Sequence, residues 1–138
     1  MDIVVDANVA IEWFRLKPHP FAEAVLETLQ DHDVIVPELW CWEVQDVLRR
    51  LDASGQLTKP ADDVMNELLQ LPISVDDRRV GLFGDETPLS RKYALSVYDA
   101  AYLDVALRHR IELATLDKRL AAAARRAGAA FTLSGPET

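Results

Sequence analysis

A single cysteine, Cys41, among 138 residues removes two chemistries at once, because neither an intramolecular disulfide nor a thiolate metal cluster can form from it. Also missing is a basic amino-terminal segment followed by a long apolar run and a cleavage site. The longest uncharged apolar runs fall far short of the ~18 residues that a spanning helix requires. These absences lead us to expect a cytoplasmic protein with no membrane role. No internal repeat, linker or low-complexity tract interrupts the chain beyond an alanine-rich last helix, and alanine is simply a good helix former. A chain of this length fits one domain, residues 1–138, and can bury roughly 68–70% of its unfolded surface without covalent staples.

Positive charge is also in short supply: 15 Lys and Arg stand against 23 Asp and Glu, for a net charge of −8. A field of that sign slows encounter with phosphates and argues against nonspecific nucleic-acid binding. The distribution softens the objection. Residues 1–70 hold 14 acids and 5 bases, residues 71–138 hold 9 acids and 10 bases, giving −9 and +1. The later half is therefore the more phosphate-tolerant side. Arg78, Arg79, Arg91, Lys92, Lys118 and Arg119 fall in or beside predicted loops there, although an ordinary solvated side chain is the favoured reading for any one of them.

What the chain does have is an alternation of short β-branched runs with amphipathic helical ones, the pattern of βα repeats around a mostly parallel sheet. Ile3–Val5 reads as a strand, Ala7–Leu16 as a helix ending before Lys17-Pro18-His19-Pro20, and Phe21 to about Asp31 as a second helix. Val34–Val36 follows as a strand, and Pro37 opens a longer helix whose apolar stripe stops at Ser54-Gly55. Pro60 opens another helix carrying Val64, Leu68 and Leu69 toward the core. Leu71–Val75 reads as a third strand and Asp76–Thr87, with Gly81 and Gly84, as irregular. Helices are expected over Pro88–Leu95, Tyr98–Arg108 and Asp117–Arg126, the last closed by Gly128, and strands over Glu112–Thr115 and Ala130–Leu133.

Four acids stand at the edges of different hydrophobic segments: Asp6, Glu43, Asp99 and Asp117. In open parallel sheets ligands gather beyond the carboxyl ends of the strands, where Asp6 and Asp117 lie. Carboxylates gathered a few ångströms apart must take up protons or bind a hard divalent ion. Each acid also has a structural role open to it. Asp6 could close an Asx-turn, Asp117 could cap the last helix, and Ser96-Val97-Tyr98-Asp99 matches a capping box. Glu43 could be an exposed or ion-paired side chain. Asn8 and Thr115 could hold their neighbouring acids by hydrogen bonds or serve as local caps. Trp40 and Trp42, on either side of Cys41, could stack a base but are better suited to a core or an interface.

The order and local context of these acids resemble the PIN domain, particularly the compact VapC-type toxin ribonucleases of prokaryotic toxin–antitoxin pairs. Ile3-Val4-Val5-Asp6-Ala7-Asn8 resembles that family's first strand and its Asp-x-Asn turn. Val36-Pro37-Glu38-Leu39-Trp40-Cys41-Trp42-Glu43-Val44 is similar to its proline-led helix with the second acid. Tyr98-Asp99-Ala100-Ala101-Tyr102-Leu103 matches the helix with the third acid, and Leu113-Ala114-Thr115-Leu116-Asp117-Lys118-Arg119-Leu120 matches the Thr-x-Asp strand end. The likeness runs from residue 2 to about 133.

The resemblance implies a three-layer α/β/α sandwich around a mostly parallel sheet of about five strands. It also implies a Mg2+- or Mn2+-dependent endoribonuclease, a small cognate antitoxin that blocks the site, and a homodimer. Asp6, Glu43, Asp99 and Asp117 would hold one or two ions, Asn8 and Thr115 would support them, and Lys118 and Arg119 are candidates for phosphate contact. None of His19, His32 and His109 falls in a motif with an acid, so nucleophilic side-chain catalysis is not expected. Two other functions stay open. An aspartyl-phosphate phosphotransferase would use Asp6 as nucleophile, but Asp6-Ala7-Asn8 lacks the second acid of an Asp-x-Asp pair. A noncatalytic binding module would keep the acids only as caps and solubility residues.

Overall fold

Ile3, Val4 and Val5 are fully buried because both faces of their strand are covered, and such strands read as unbroken apolar runs rather than alternating ones. The computed structural model describes residues 2–77 and 82–133, so Arg78, Arg79 and Gly81 lie outside the described residues. Strands β1 (Asp2–Val5), β2 (Asp33–Val36), β3 (Ile73–Val75) and β4 (Glu112–Ala114) form one sheet in the order β3-β2-β1-β4. Every pairing is parallel: Ile3 lies opposite both Val34 and Glu112, and Val34 lies opposite Ile73. β1 is thus central and β3 an edge, which is why Val36 is buried while Val75 is exposed.

Seven helices connect these strands among the described residues: α1 (Ala7–Glu12), α2 (Pro20–Thr28), α3 (Glu38–Ala53), α4 (Ala61–Leu68), α5 (Glu86–Tyr93), α6 (Val97–His109) and α7 (Lys118–Arg126). From β1 the chain moves outward to β2 and β3 through α1 to α4, then returns over α5 and α6 to β4 on the other side of β1. Right-handed crossovers that reverse direction deposit their helices on opposite faces of the sheet. Accordingly, α6 packs on β1, β2 and β4 with α5 and α7 beside it, whereas α1 packs on α2 and α3, and α3 on α4. The result is the three-layer α/β/α sandwich with a parallel sheet. Among the described residues no helix is long and apolar enough to cross a membrane.

Local chemistry sets most helix boundaries. His19 Nδ1 accepts from the Phe21 amide at 3.0 Å with Pro20 at the first helical position of α2, and Ser96 Oγ accepts from the Asp99 amide at 3.0 Å to start α6. Gly55 and Gly128 take φ of +71° and +77° just beyond α3 and α7, in the left-handed region that only glycine enters without strain.

Three segments depart from the sequence expectation, the smallest being α5, which runs Glu86–Tyr93 rather than Pro88–Leu95 and ends at Ala94 in the left-handed region. The first helix stops at Glu12 rather than Leu16. Trp13 and Phe14 close it with tight i to i−3 bonds, then Phe14 accepts from the Thr58 amide and Leu16 donates to Gln56, with Arg15 bridging to Leu57. Long-range pairing thus overrides helical periodicity. The sheet has four strands among the described residues rather than about five, because the run from Ala130 to Leu133 makes one parallel bridge, Ala130 to Leu113, and then leaves the sheet. Leu113 donates to Ala129 at 2.7 Å and accepts from Phe131 at 3.0 Å, and Phe131 is anchored edge-on to Phe21. Leu133 is exposed and has no apolar face to bury.

Candidate active site

The chain leaves β1 in one direction for β2 and comes back on the other side to β4, so the helices that follow β1 and β4 diverge to opposite faces of the sheet. A crevice opens where they part, beyond the carboxyl ends of those strands, and it is the usual ligand site of such sheets. Asp6 follows β1 directly and Asp117 lies three residues beyond β4. The fold therefore brings together two acids that are 111 positions apart in the sequence.

Asp6 is buried, at 6% exposure. Its amide still donates to Ala114 O at 2.9 Å, so the β1–β4 ladder fixes the backbone up to the carboxylate. No helix-cap hydrogen bond engages that carboxylate, which instead accepts the Thr115 hydroxyl at 2.7 Å on Oδ2. With its one proton directed there, Thr115 Oγ1 uses its lone pairs to accept the Asp117 amide at 3.0 Å and the Asn8 side-chain amide at 3.5 Å. Asn8 Oδ1 accepts from the Leu116 amide at 3.1 Å. Asn8 and Thr115 together tie the ends of β1 and β4.

Glu43 arrives from the second turn of α3, where the Tyr102 hydroxyl donates to its Oε1 at 2.5 Å. Tyr102 is almost wholly buried. Burial first, then the nearby Asp6 and Glu43 charges and the bond to Glu43, raises its phenol pKa, so the proton stays on oxygen as a donor. Asp99 sits three residues before Tyr102 on α6, on the same helical face. Asp117 caps α7 by accepting the Leu120 amide at 3.0 Å on Oδ1. The capping roles of Asp117 and of the Ser96 hydroxyl are thus real, and they coexist with the placement of all four acids.

Asp6, Glu43, Asp99 and Asp117 line one cavity of about 410 Å³, with Asn8. Proximity shows in the proton affinities of Asp6 and Asp99. Burial chiefly, with the charges of Glu43 and Asp99, lifts Asp6 from 3.8 to about 6 against the lowering influence of Thr115 and the Asn8 backbone. Asp99 is raised by burial and then by the Asp117 charge, with the Ser96 hydroxyl opposing. The all-oxygen donor set suits a hard divalent cation. Among the described residues no three His, Cys, Asp or Glu side chains are drawn together around one point. Mg2+ keeps several of its waters and commonly touches one or two carboxylates, so an open cavity with six acids on its walls, Glu12 and Asp46 included, is compatible with water-bridged ligation but forms no closed cage.

Lys118 and Arg119 are exposed on the first turn of α7 and do not line the cavity; the cations that do are Arg15 and Arg50. Arg50 had a signal, since it lies seven residues after Glu43 on the same face of α3, with Asp46 between them. Arg15 had none, because the segment expected to be helix turns aside there. Tyr102 was legible only as an apolar-face residue of α6, and nothing local announces its bond to Glu43. Trp40 is buried in the core and Trp42 is exposed.

The chain matches the family described as PIN domain over residues 3–126. Among solved structures it is similar to PAE2754 from Pyrobaculum aerophilum, at 18% identity and a TM-score of 0.63 over 89% of this chain and 84% of that one. It is also similar to FitAcB from Neisseria gonorrhoeae, at 20% identity and a TM-score of 0.55 over 89% of this chain and 93% of that one. Both likenesses concern the fold. No curated protein matches the sequence.

Proposed function

The chain belongs to the PIN-domain family, and from that premise we propose that it is a metal-dependent endoribonuclease that hydrolyses RNA phosphodiester bonds, the cytoplasmic toxin of a VapC-type toxin–antitoxin pair. One observation carries the reading: four carboxylates from four separate elements line a single cavity at the point where the sheet's connections diverge. Asp6, Glu43, Asp99 and Asp117 would hold one or two Mg2+ or Mn2+ ions. Such an ion lowers the pKa of a coordinated water and offsets charge building on the phosphate oxygens.

The protein's own contribution is placement. Thr115 and Asn8 lock the Asp6 carboxylate to the end of β4, and Tyr102 holds Glu43 by a donated hydrogen bond. Partners of this kind typically matter 10–100-fold for metal affinity or activity. No covalent enzyme intermediate is needed, which separates this reading from a phosphotransferase using Asp6. The reading as a noncatalytic module treats the acids as caps, yet the Asp6 carboxylate is engaged across the sheet end by the Thr115 hydroxyl at 2.7 Å, a contact that helix capping does not require. A homodimer and a small antitoxin that covers the cavity complete the proposal.

Protein stripped with EDTA and reloaded with Mg2+ or Mn2+ should cut total cellular RNA, with mapped ends defining the site. Asp6→Asn, Asp99→Asn and Asp117→Asn should each keep the fold by circular dichroism and lower cleavage by at least about 100-fold, more than loss of a supporting partner would. Wild-type activity in any two of them removes the acids from the mechanism. Gel filtration of the same preparation at micromolar concentration should give a dimer, and a monomer would count against that assembly.

A further inference from the structure

The acid cavity poses a problem for any polyanion, since four carboxylates repel the backbone they are proposed to cut. Two cations line the same cavity among the described residues, Arg15 and Arg50, and both stand on the α1–α3 wall. Each is steadied by an acid one turn earlier. Arg15 Nε lies 3.7 Å from Glu12 Oε2, and Arg50 Nη2 donates to Asp46 Oδ2 at 3.2 Å. Arg15 Nη2 also donates to Gln56 Oε1 at 2.7 Å. Glu12 and Asp46 themselves line the cavity. The Arg50–Asp46 pair is exposed and contributes little to stability, whereas Glu12 is mostly covered and also accepts the His19 amide at 2.9 Å. A guanidinium offers five donors, and Arg15 and Arg50 each commit one of them to a hydrogen bond with a described residue.

We propose that Arg15 and Arg50 form a rim that seats phosphates of a single-stranded RNA next to the one held over the acids. The inference rests on the ribonuclease reading above and adds the path of the strand to it. Arg50 is seven residues beyond Glu43 on α3, about 10 Å along the helix axis, so it meets a different phosphate from the one at the carboxylates. Glu12 and Asp46 hold the guanidinium groups extended before RNA arrives, and an incoming phosphate takes the free donors bidentately. On this wall the two guanidinium groups offset Glu12 and Asp46, so the rim gives a phosphate directed donors at a place where the chain's negative charge is locally neutralised.

The test is binding of a labelled, mixed-sequence single-stranded RNA of about 20 nucleotides in EDTA, followed by anisotropy between roughly 50 and 200 mM KCl. Each lost phosphate contact should make the slope of log K against log salt shallower by about 0.7. Arg15→Ala and Arg50→Ala should each show that change, the double variant about 1.4, with a Kd roughly 10- to 100-fold weaker at low salt. Arg50→Lys should restore the slope, which a purely structural loss would not. Thermal melts check folding, and Arg50→Ala, at an exposed pair, serves where Arg15→Ala disturbs the turn at Gln56. Wild-type slopes in both variants, or a slope change only in Lys118→Ala and Arg119→Ala, overturns the rim while metal-dependent cleavage by the wild type still upholds the ribonuclease. Variants that bind RNA normally but lose a copurifying protein partner assign the rim to that partner and overturn the proposal. A wild type that neither binds nor cuts RNA overturns both readings.

Discussion

Asp6 bears the largest conflict of any carboxylate described in the fold. It is buried, it faces two like charges, and its pKa is lifted from 3.8 to about 6. Between those values the folded chain binds more protons than the unfolded one, so its contribution makes stability fall as pH rises through that window. Above pH 6 the full cost is present, on the order of 1–3 kcal/mol. Asp6→Asn removes the charge while leaving an oxygen to accept from Thr115. In EDTA at pH 7.5 the variant should therefore be more stable than wild type by about 1–3 kcal/mol in urea melts, the advantage vanishing near pH 4. A destabilised variant at pH 7.5 would mean that Asp6 is held by attraction rather than against repulsion. The gain should come with loss of cleavage, the usual exchange where a site is strained for function. At this scale the sequence was informative for a physical reason: an acid immediately after a buried strand has nowhere to go but the strand's carboxyl end. It was silent on the bonds of Tyr102 to Glu43 and of Arg15 to Gln56, whose partners lie tens of residues away in the chain.

Among the elements, α6 does the most to position the site, with Asp99 on its first turn, Tyr102 on its buried face and Arg108 near its end. Arg108 ties this helix to the end of β3, donating to Asp76 through Nη2 at 2.5 Å and Nη1 at 3.3 Å while its Nε donates to Asp104 at 2.9 Å. His109 Nε2 also lies 2.9 Å from Asp76. Burial opposes ionisation of Asp76, but the hydrogen bonds and charges of Arg108 and His109 prevail and hold its pKa below the ordinary range. A depressed carboxyl contributes stability above its unfolded pKa and loses it as pH falls through the lower folded value. Arg108→Ala should therefore destabilise the fold by about 1–3 kcal/mol at pH 7, with the deficit narrowing below about pH 4. A deficit unchanged down to pH 3 would assign the loss to packing of the arginine stem instead. The elements themselves were mostly legible, because period and punctuation agree: Pro37, Pro60 and Ser96 open helices and Gly55 and Gly128 close two, whereas Pro88 falls inside α5, and Ala94 and Arg110 close α5 and α6. The failures at Leu16 and Ala130–Leu133 share a cause. In each, a segment with the right local pattern is diverted by long-range hydrogen bonds or runs out of apolar surface to cover, and neither is encoded nearby.

At the scale of the whole molecule, charge decides what the cavity can admit. The chain carries −8 overall, and without a divalent ion the cavity's six carboxylates, of which Arg15 and Arg50 offset Glu12 and Asp46, oppose entry of a phosphate that the rim attracts. Affinity for RNA in the absence of metal is then a balance of two local terms of opposite sign. Removing acid charge should shift it toward binding. Asp99→Asn combined with Asp117→Asn is therefore expected to bind single-stranded RNA more tightly than wild type in EDTA, by about tenfold at low salt, while failing to cut it when Mg2+ is restored. Both pieces of the outcome matter. Tighter binding alone would follow from any reduction of net negative charge, so Asp62→Asn with Asp63→Asn, two exposed acids on the first turn of α4, serves as the comparison with the same change in total charge. Neither Asp62 nor Asp63 lines the cavity, and a repeat of the comparison near physiological salt, where screening acts over about 8–10 Å, removes the long-range share of any gain. Equal gains from the two double variants would show that RNA responds only to the overall field and does not enter the cavity. A gain confined to Asp99 and Asp117 would place a phosphate among the carboxylates, where the proposed chemistry requires it.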